Sequence, residues 1–282
     1  MKNTAGLILL FSLMACTHTA DFASNVIEKM PEETVETEIS EKEAPDPAEE
    51  AGGLILSFDD FSFSWLEMIP LLEKYGVHAT FYISVAKLED DNLSVLKELQ
   101  YSGHEIGWHT STHPNMRKIP VSMRSEAIDR EIRDPLLELK KSLHRDIVAF
   151  AYPYGLSDKD WESRLLDVFT STRGFCRTPR YYSPDELNER QHFVAASLDN
   201  LYYRPDSGEE WMPFPLFCDR VLNEIEQSGR YVVLASHGMN DNAWGITRNN
   251  VEILLAKAQK EGISVLSLEE AFFRESHIAE EK

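Results

Sequence analysis

The sequence predicts an α/β fold, in which a mostly parallel sheet closes as a distorted (β/α) barrel and forms a single domain. Short, nearly unbroken apolar runs alternate with amphipathic stretches of ten or more residues, which is typical of repeated βαβ units. Strands with so few polar positions indicate a sheet that is covered on both faces. The chain has 282 residues, a length that such barrels reach as one domain.

The first half of the pattern begins at Gly53, where GLILSF predicts a buried strand. SWLEMIPLLEKYG has helical spacing, with Ser64 as its N-cap and Gly76 as its C-terminal stop. HATFYISV is β-branched and aromatic and predicts a second strand. NLSVLKELQYSG predicts a helix that ends at Gly103, and HEIGWH predicts a third strand.

In the second half, SMRSEAIDREIRDPLLELKKSLH predicts a long amphipathic helix that Pro135 interrupts. DIVAFAYP predicts a strand, and SDKDWESRLLDVFTST a helix that opens at Ser157 or Asp158. Near the end, YVVLASHG predicts a strand, TRNNVEILLAKAQKEG a helix, and SVLSLEEAFFR a strand that leads into a last helix. Four prolines between residues 181 and 215 predict long loops there.

Upstream of this domain, which spans residues 51–282, the chain contains two other segments. Residues 1–16 resemble a bacterial lipoprotein signal, because the apolar stretch AGLILLFSLMA is too short to span a bilayer and leads to LMAC. This implies a lipidated Cys16 and a lipid-anchored protein of the bacterial cell envelope, with its domain outside the cytoplasm. The alternative is an ordinary secretory peptide cleaved a few residues later. Residues 17–50 contain eleven Asp or Glu and two Lys and predict a disordered acidic tether.

Charge and cysteine content exclude one class of partner and leave one question open. The formal net charge is −20, and the domain is acidic in its own right, which argues against nucleic acid as a partner. If Cys16 is lipidated, Cys176 and Cys218 remain. Nothing in the sequence places these two cysteines close together, so we expect them to be unpaired, although an oxidising compartment would permit a disulfide.

Polar side chains follow several of the predicted strands at the point where each strand ends. Asp59 and Asp60 end the first strand, His109 and His113 follow the third, and His237 follows YVVLAS. The carboxyl ends of the strands of a (β/α) barrel face one rim, so these side chains are expected to converge. Two imidazoles and one carboxylate are a typical ligand set for a catalytic zinc with open positions. Because side chains alternate along a strand, one aspartate is free to act as a base while the other binds metal.

These motifs resemble the polysaccharide deacetylase family, also called the NodB-homology domain or carbohydrate esterase family 4, over residues 53–273. SFDD is similar to the first family motif, which implies that Asp59 is the catalytic base and Asp60 a metal ligand. HTSTH is similar to the second motif, which implies that His109 and His113 complete the metal site. The resemblance implies a barrel of the NodB-homology type over residues 51–282.

Two further motifs are less specific. FAYPYG resembles the motif that lines the substrate groove, here Tyr152, Pro153 and Tyr154, and it implies that the Tyr154 N–H donates to an oxyanion. LASHG resembles the last motif, whose histidine, here His237, is the general acid. Trp108, Tyr152, Tyr154 and Trp244 are candidates for stacking on sugar rings; the alternative is that they pack in the core or at the rim.

The resemblance implies a metal-dependent hydrolase that removes acetyl groups from N-acetylated sugars within a glycan. Zn²⁺ is the expected ion, although other divalent ions fit the same ligands. The chain departs from the family pattern at Phe61, where a glycine is usual, and at Ala151, where many members have an arginine that orients the base. Arg173 or Arg177 could replace that arginine, and Asp199 is a candidate for the missing fourth motif. Two alternatives remain: a catalytically impaired glycan-binding protein of the same fold, and an O-acetyl esterase.

Overall fold

The structure, a computed structural model, describes residues 52–85, 89–203 and 212–280, all within the unit Pro45–Lys282. The predicted signal and tether, including Cys16, lie outside the described residues, and the predicted domain boundaries stay predictions. Within the described residues, no helix is both long and apolar enough to cross a membrane.

Seven parallel strands close into a barrel, which confirms the predicted fold class. β1 pairs with β2 on one side and β8 on the other, and β2, β3, β4, β5, β7 and β8 complete the circle in that order. Two short strands lie outside it: β6 runs antiparallel to β8, and β9 runs parallel to β1. The strands are β1 (Gly53–Asp60), β2 (Thr80–Ile83), β3 (Glu105–Trp108), β4 (Ala149–Ala151), β5 (Ser171–Phe175), β6 (Tyr181–Tyr182), β7 (His192–Ser197), β8 (Tyr231–Ser236) and β9 (Val265–Leu266).

Helices surround the barrel, and most of them bury their apolar faces on the outside of its strands. They are α1 (Trp65–Lys74), α2 (Asp90–Tyr101), α3 (Arg124–Ile128), α4 (Asp134–Leu139), α5 (Lys159–Leu165), α6 (Pro184–Glu189), α7 (Phe214–Ser228), α8 (Arg248–Glu261) and α9 (Leu268–Glu280). A π-helical turn, Asp129–Arg133, joins α3 to α4 just before Pro135, which is the interruption that the sequence predicted.

The strands alternate between two apolar clusters, one on each side of the sheet. Along β1, Leu54, Leu56 and Phe58 belong to the large cluster that the helices cover. Ile55 belongs to the smaller cluster inside the barrel. This alternation places Asp59 on the same side as Ile55, so its carboxyl faces the barrel interior at the upper end of the strand.

Two predictions about the second half of the chain were wrong. The helix predicted to continue to Thr172 ends at Leu165, and STRGF forms β5. The loops predicted between residues 181 and 215 contain β7 and α6, together with the short strand β6. STRGF is not an apolar run, so the pattern that identifies buried strands passes over it.

The prediction for the two remaining cysteines is confirmed. Cys176 and Cys218 are free thiols in the described part of the chain. Cys218 is buried in α7, and the half-buried Cys176 donates its thiol hydrogen to the Thr178 carbonyl, 2.9 Å away. Neither thiol is held in a disulfide that would staple the barrel.

Candidate active site

Asp60, His109 and His113 meet at the carboxyl ends of β1 and β3, as the sequence predicted. His109 Nε2 lies 3.5 Å from Asp60 Oδ1, and His113 Nε2 lies 3.3 Å from the same oxygen. Two ligands bound to one tetrahedral zinc at 2.0–2.1 Å are about 3.3 Å apart, so this spacing fits a shared ion. Asp60 Oδ1 is buried without a hydrogen bond to any described residue. A buried acceptor between two imidazoles indicates a position for a cation, and the residues therefore fit a divalent metal.

The ring of His109 is oriented for this role by the backbone of β4. Its Nδ1–H donates a hydrogen bond to the Ala151 carbonyl at 2.7 Å. This bond fixes the tautomer with the proton on Nδ1, so Nε2 presents its lone pair towards Asp60. Burial lowers the pKa of His109 to about 4, so the ring is neutral at physiological pH. A neutral imidazole with its lone pair exposed is the form that binds a metal.

Backbone strain is concentrated at this site. In the described part of the chain, the non-glycine residues with positive φ are Asp60, Thr110, His113 and Tyr154, with φ of 75°, 67°, 53° and 60°. Each costs about 1–2 kcal/mol relative to an ordinary conformation, a sizeable sum against the net stability of a domain. Such strain is typical of functional sites, where the surrounding structure holds the backbone. At Asp60 it replaces the strict alternation that the sequence predicted for the aspartate pair.

Asp59 forms a buried ion pair with Arg173 from β5. The Asp59 side chain is 12% exposed and that of Arg173 2%, and the guanidinium also lies over the Tyr82 ring, 4.8 Å from its centroid. Burial raises the pKa of the Asp59 carboxyl, but Arg173, His109 and His237 together hold it below its ordinary value. Asp59 is therefore ionised at neutral pH, as a general base must be.

The arginine comes from one strand further along than in the family pattern. Ala151 on β4 and Arg173 on β5 are direct register partners. The small Ala151 side chain leaves the position inside the barrel free, and the neighbouring strand supplies the guanidinium. Of the two arginines that the sequence offered, the structure selects Arg173; Arg177 is exposed.

His237, which follows β8, lies on the other side of the metal ligands. Its Nδ1 is 3.1 Å from both carboxylate oxygens of Asp199, and its Nε2 is 3.7 Å from Asp60 Oδ2. Burial lowers the pKa of His237, but the hydrogen bond and charge of Asp199, with Asp59 and Asp60 nearby, raise it to about 9. The ring is thus a protonated donor at neutral pH, with Nε2–H directed towards the metal ligands.

Comparison with known proteins relates this arrangement of residues to a family. The sequence profile described as "Polysaccharide deacetylase" matches residues 47–168. This region of the chain is similar to the polysaccharide deacetylase family. The matched region contains both aspartates, both histidines of HTSTH and the FAYPYG segment, and the resemblance to this family that the sequence predicted is confirmed.

Individual relatives are similar to shorter stretches of the chain. The chain is 36% identical over 64 residues to an uncharacterised Bacillus subtilis (strain 168) protein, YlxY, covering 23% of this chain and 20% of that one. It is 27% identical over 128 residues to a chitooligosaccharide deacetylase of Rhizobium leguminosarum bv. trifolii, covering 43% and 57%. The chain thus spans about a fifth of the first relative and about half of the second.

The fold is shared with a solved deacetylase-family structure. The Xyl-CE4 domain of a multidomain xylanase from the hindgut metagenome of Trinervitermes trinervoides superposes with a TM-score of 0.56, at 16% sequence identity. The superposition covers 80% of this chain and 92% of that domain. At this identity the likeness shows the barrel, and the geometry of the site has to be argued from the residues of this chain.

The aromatic residues predicted for the groove divide into two groups in the structure. Tyr154 and Trp244 are exposed at the rim, with Tyr154 4.7 Å from the His113 ring and Trp244 6.0 Å from the His237 ring. Tyr152, in contrast, is buried in the core, and Pro153 is buried too. The expectation that Tyr152 offers its ring to a sugar was therefore wrong, because the ring packs against Phe150. The same expectation was wrong for Trp108, which is fully buried in β3.

Two functional residues were not assigned firmly from the sequence. Arg173 was one of two alternatives, and Asp199 was only a candidate. Asp199 follows β7 and accepts hydrogen bonds from the buried Ser197 and Ser236 hydroxyls at 3.0 and 2.7 Å. The same strand-end rule that identified the aspartate pair and His237 would have found Asp199, had β7 been predicted as a strand.

Proposed function

We propose that this protein is a metal-dependent deacetylase that hydrolyses the acetamido group of N-acetylated sugars in a glycan. The observation that carries the proposal is the arrangement of three groups at one barrel rim. A buried Asp59–Arg173 pair lies on one side of the Asp60, His109 and His113 ligand set, and a His237–Asp199 pair on the other. An ionised base and a protonated acid on either side of an electrophilic centre are what amide hydrolysis requires.

These residues support hydrolysis of the amide bond by attack of water on the acetyl carbon. A divalent metal, with Zn²⁺ preferred, would be held by Asp60, His109 and His113 and would act as a Lewis acid that lowers the pKa of water towards about 7. Asp59 takes the proton of the attacking water as its oxygen bonds to the acetyl carbon. The Tyr154 N–H donates a hydrogen bond to the resulting oxyanion. His237 gives its Nε2 proton to the nitrogen as the carbon–nitrogen bond breaks, which releases acetate and a free amine.

Each charged group needs its partner for this scheme. Without Arg173, burial would favour the protonated, inactive form of Asp59. Without Asp199, His237 would lose the interactions that keep it protonated. The Asp59–Arg173 pair also weakens the alternative of an impaired binding protein, because the guanidinium that seemed to be missing at Ala151 is present.

The test measures acetate release from N-acetylglucosamine oligomers by the protein loaded with Zn²⁺. We expect release from the wild-type protein and a loss of at least about 10²-fold in Asp59→Asn, with metal still bound. Asp146→Asn, at an exposed position between α4 and β4, is the matched control and should be unaffected. No release by the metal-loaded wild type, or equal rates in Asp59→Asn, would contradict the proposal. Faster hydrolysis of O-acetylated than of N-acetylated glycans would favour the esterase alternative.

We further propose that Cys16 is lipidated and holds the protein in the bacterial cell envelope, with the catalytic domain outside the cytoplasm. The proposal is supported by the LMAC junction after a short apolar stretch. Fractionation of cells that express the full chain tests it. We expect the wild type in the membrane fraction and Cys16→Ser released from it, whereas equal partition of both would refute lipid anchoring.

A further inference from the structure

The loop that carries His109 and His113 needs support from outside itself. Thr110 and His113 both have positive φ, and within the loop the His113 N–H donates to the Thr110 hydroxyl at 3.1 Å. Between these two strained positions lie Ser111 and Thr112, whose backbone N–H groups bond to a residue 19 or 20 positions further along the chain. Strained backbone persists only where neighbouring groups hold it, so these outward bonds matter for the histidine pair.

The partner is Glu131, a buried residue of the π turn, 2% exposed. Its carboxylate accepts hydrogen bonds from the Thr112 N–H at 2.9 Å and from the Thr112 hydroxyl at 2.9 Å. The Arg130 guanidinium donates to the other carboxylate oxygen at 2.9 Å. Both oxygens of this buried carboxylate accept hydrogen bonds, so Glu131 fixes the position of the loop in a way that a solvated surface carboxylate would not.

The main-chain carbonyl of Glu131 holds the same loop at a second point. It accepts from the Ser111 N–H at 3.0 Å and from the Trp108 indole N–H at 2.8 Å. In a regular helix this carbonyl would accept from the N–H four residues later, at position 135. Residue 135 is proline, which has no N–H, and the helix here widens, with the Asp134 N–H bonding to the Asp129 carbonyl. The proline therefore leaves the Glu131 carbonyl available to the loop.

We propose that Glu131, together with the proline-dependent turn that contains it, is the positioning element of the metal site. Side chain and carbonyl fix residues 108, 111 and 112 and thereby hold His109 and His113 at the separation that one ion requires. Glu131 touches neither the ligand atoms nor the reacting groups, so it acts through the loop. The inference rests on the proposed function in one respect, namely that Asp60, His109 and His113 bind a divalent metal.

The test titrates Zn²⁺ into the metal-free protein by competition with a chromophoric chelator, and it records the absorption spectrum of the Co²⁺-loaded form. We expect Glu131→Ala to raise the Kd for Zn²⁺ by about 10–100-fold and to alter the Co²⁺ spectrum, as loss of a group that orients metal ligands does. Glu131→Gln, which keeps one acceptor, should restore part of the affinity. Glu126→Ala, at an exposed position of α3, is the control and should bind both ions like the wild type.

Pro135→Ala separates positioning from general stability. Alanine favours the helix, so the thermal midpoint should stay the same or rise. At the same time its N–H competes with the loop for the Glu131 carbonyl, so the affinity for Zn²⁺ should fall. A purely structural role would move both quantities in the same direction. An unchanged Kd in Pro135→Ala would overturn the part assigned to the carbonyl.

The outcomes distinguish this inference from the proposed function. A wild-type protein that does not bind Zn²⁺ refutes the metal site itself. Tight binding by the wild type and by a folded Glu131→Ala, with identical Co²⁺ spectra, refutes only the positioning role. If Glu131→Ala does not fold, Thr112→Val carries the test, because it removes one carboxylate bond at an exposed residue. A Kd for this variant equal to that of the wild type would overturn the proposal.

Discussion

The register match between Ala151 and Arg173 predicts that the arginine can be moved back by one strand. Arg173→Ala leaves the Asp59 carboxylate buried without its cation. Breaking a buried pair in this way costs about 3–5 kcal/mol of folding free energy. A domain of this size loses about 2–4 °C in melting temperature per kcal/mol, so the midpoint should fall by on the order of 10 °C.

The effect on catalysis follows from the sign of the Asp59 pKa shift. Arg173 lowers this pKa, so the ionised base is available down to pH values below the ordinary range for a carboxyl group. In Arg173→Ala the burial effect prevails and the pKa rises. The acidic limb of the pH profile of kcat/KM should therefore move to higher pH, with a loss of up to about 10²–10⁴-fold at neutral pH.

The decisive variant is the double substitution Arg173→Ala with Ala151→Arg. Neighbouring strands are about 4.8 Å apart, a distance that a long arginine side chain can span to reach the same carboxylate. We expect the double variant to recover much of the activity and to restore the acidic limb, measured by acetate release from pH 4 to pH 10. Arg177→Ala is the control and should behave like the wild type. If Arg173→Ala has the wild-type acidic limb, the pairing does not tune the base and the reasoning fails.

Three further predictions concern the acid, the metal and the rim. Asp199→Asn removes the interactions that raise the pKa of His237 to about 9, so the basic limb of kcat/KM should move to lower pH. The loss of folding stability in Asp199→Asn should be greatest below about pH 6.5 and should shrink as the pH rises through 9, because only protonated His237 is stabilised by the Asp199 carboxylate. An unchanged basic limb would show that Asp199 does not set the pKa of His237. His113→Ala should lose Zn²⁺ in equilibrium dialysis, whereas retention of one ion per chain would exclude it as a ligand. Trp244→Ala should raise KM for oligosaccharides more than it lowers kcat, and the opposite split would argue against sugar stacking.

The sequence predicted those parts of the fold whose signal is local. Each strand that reads as an unbroken apolar run, such as GLILSF or YVVLAS, lies where it was expected. β5 was missed because its central residue is Arg173, a charged side chain whose burial makes sense only once Asp59 is opposite. A buried ion pair produces no periodic pattern in either of the two segments that form it. The sequence of one segment alone therefore does not predict the pair.

In the site too, the parts that the sequence predicted have a local signal, and the parts that it did not predict depend on contacts between distant residues. The proposed metal ligands come from two short motifs with fixed spacing, and the structure brings them together. Asp199 and Glu131 act by contacts with residues 38 and 19 positions away, and they lie in segments that no motif marks. Groups that tune or hold a site are chosen by three-dimensional proximity, which a single sequence does not contain.

The two adjacent aspartates show how far environment alone separates two identical side chains. Asp59 faces the barrel interior beside a guanidinium, which keeps it ionised and ready to take a proton. Asp60 is turned by its positive φ towards two imidazoles, with one oxygen buried and without a hydrogen bond to described residues. Exchanging their roles would require β5, across the barrel, to present its arginine one residue later, which would point the side chain out of the barrel. The order that we propose, with the base first and the metal ligand second, therefore follows from the pleat of β1 and β5.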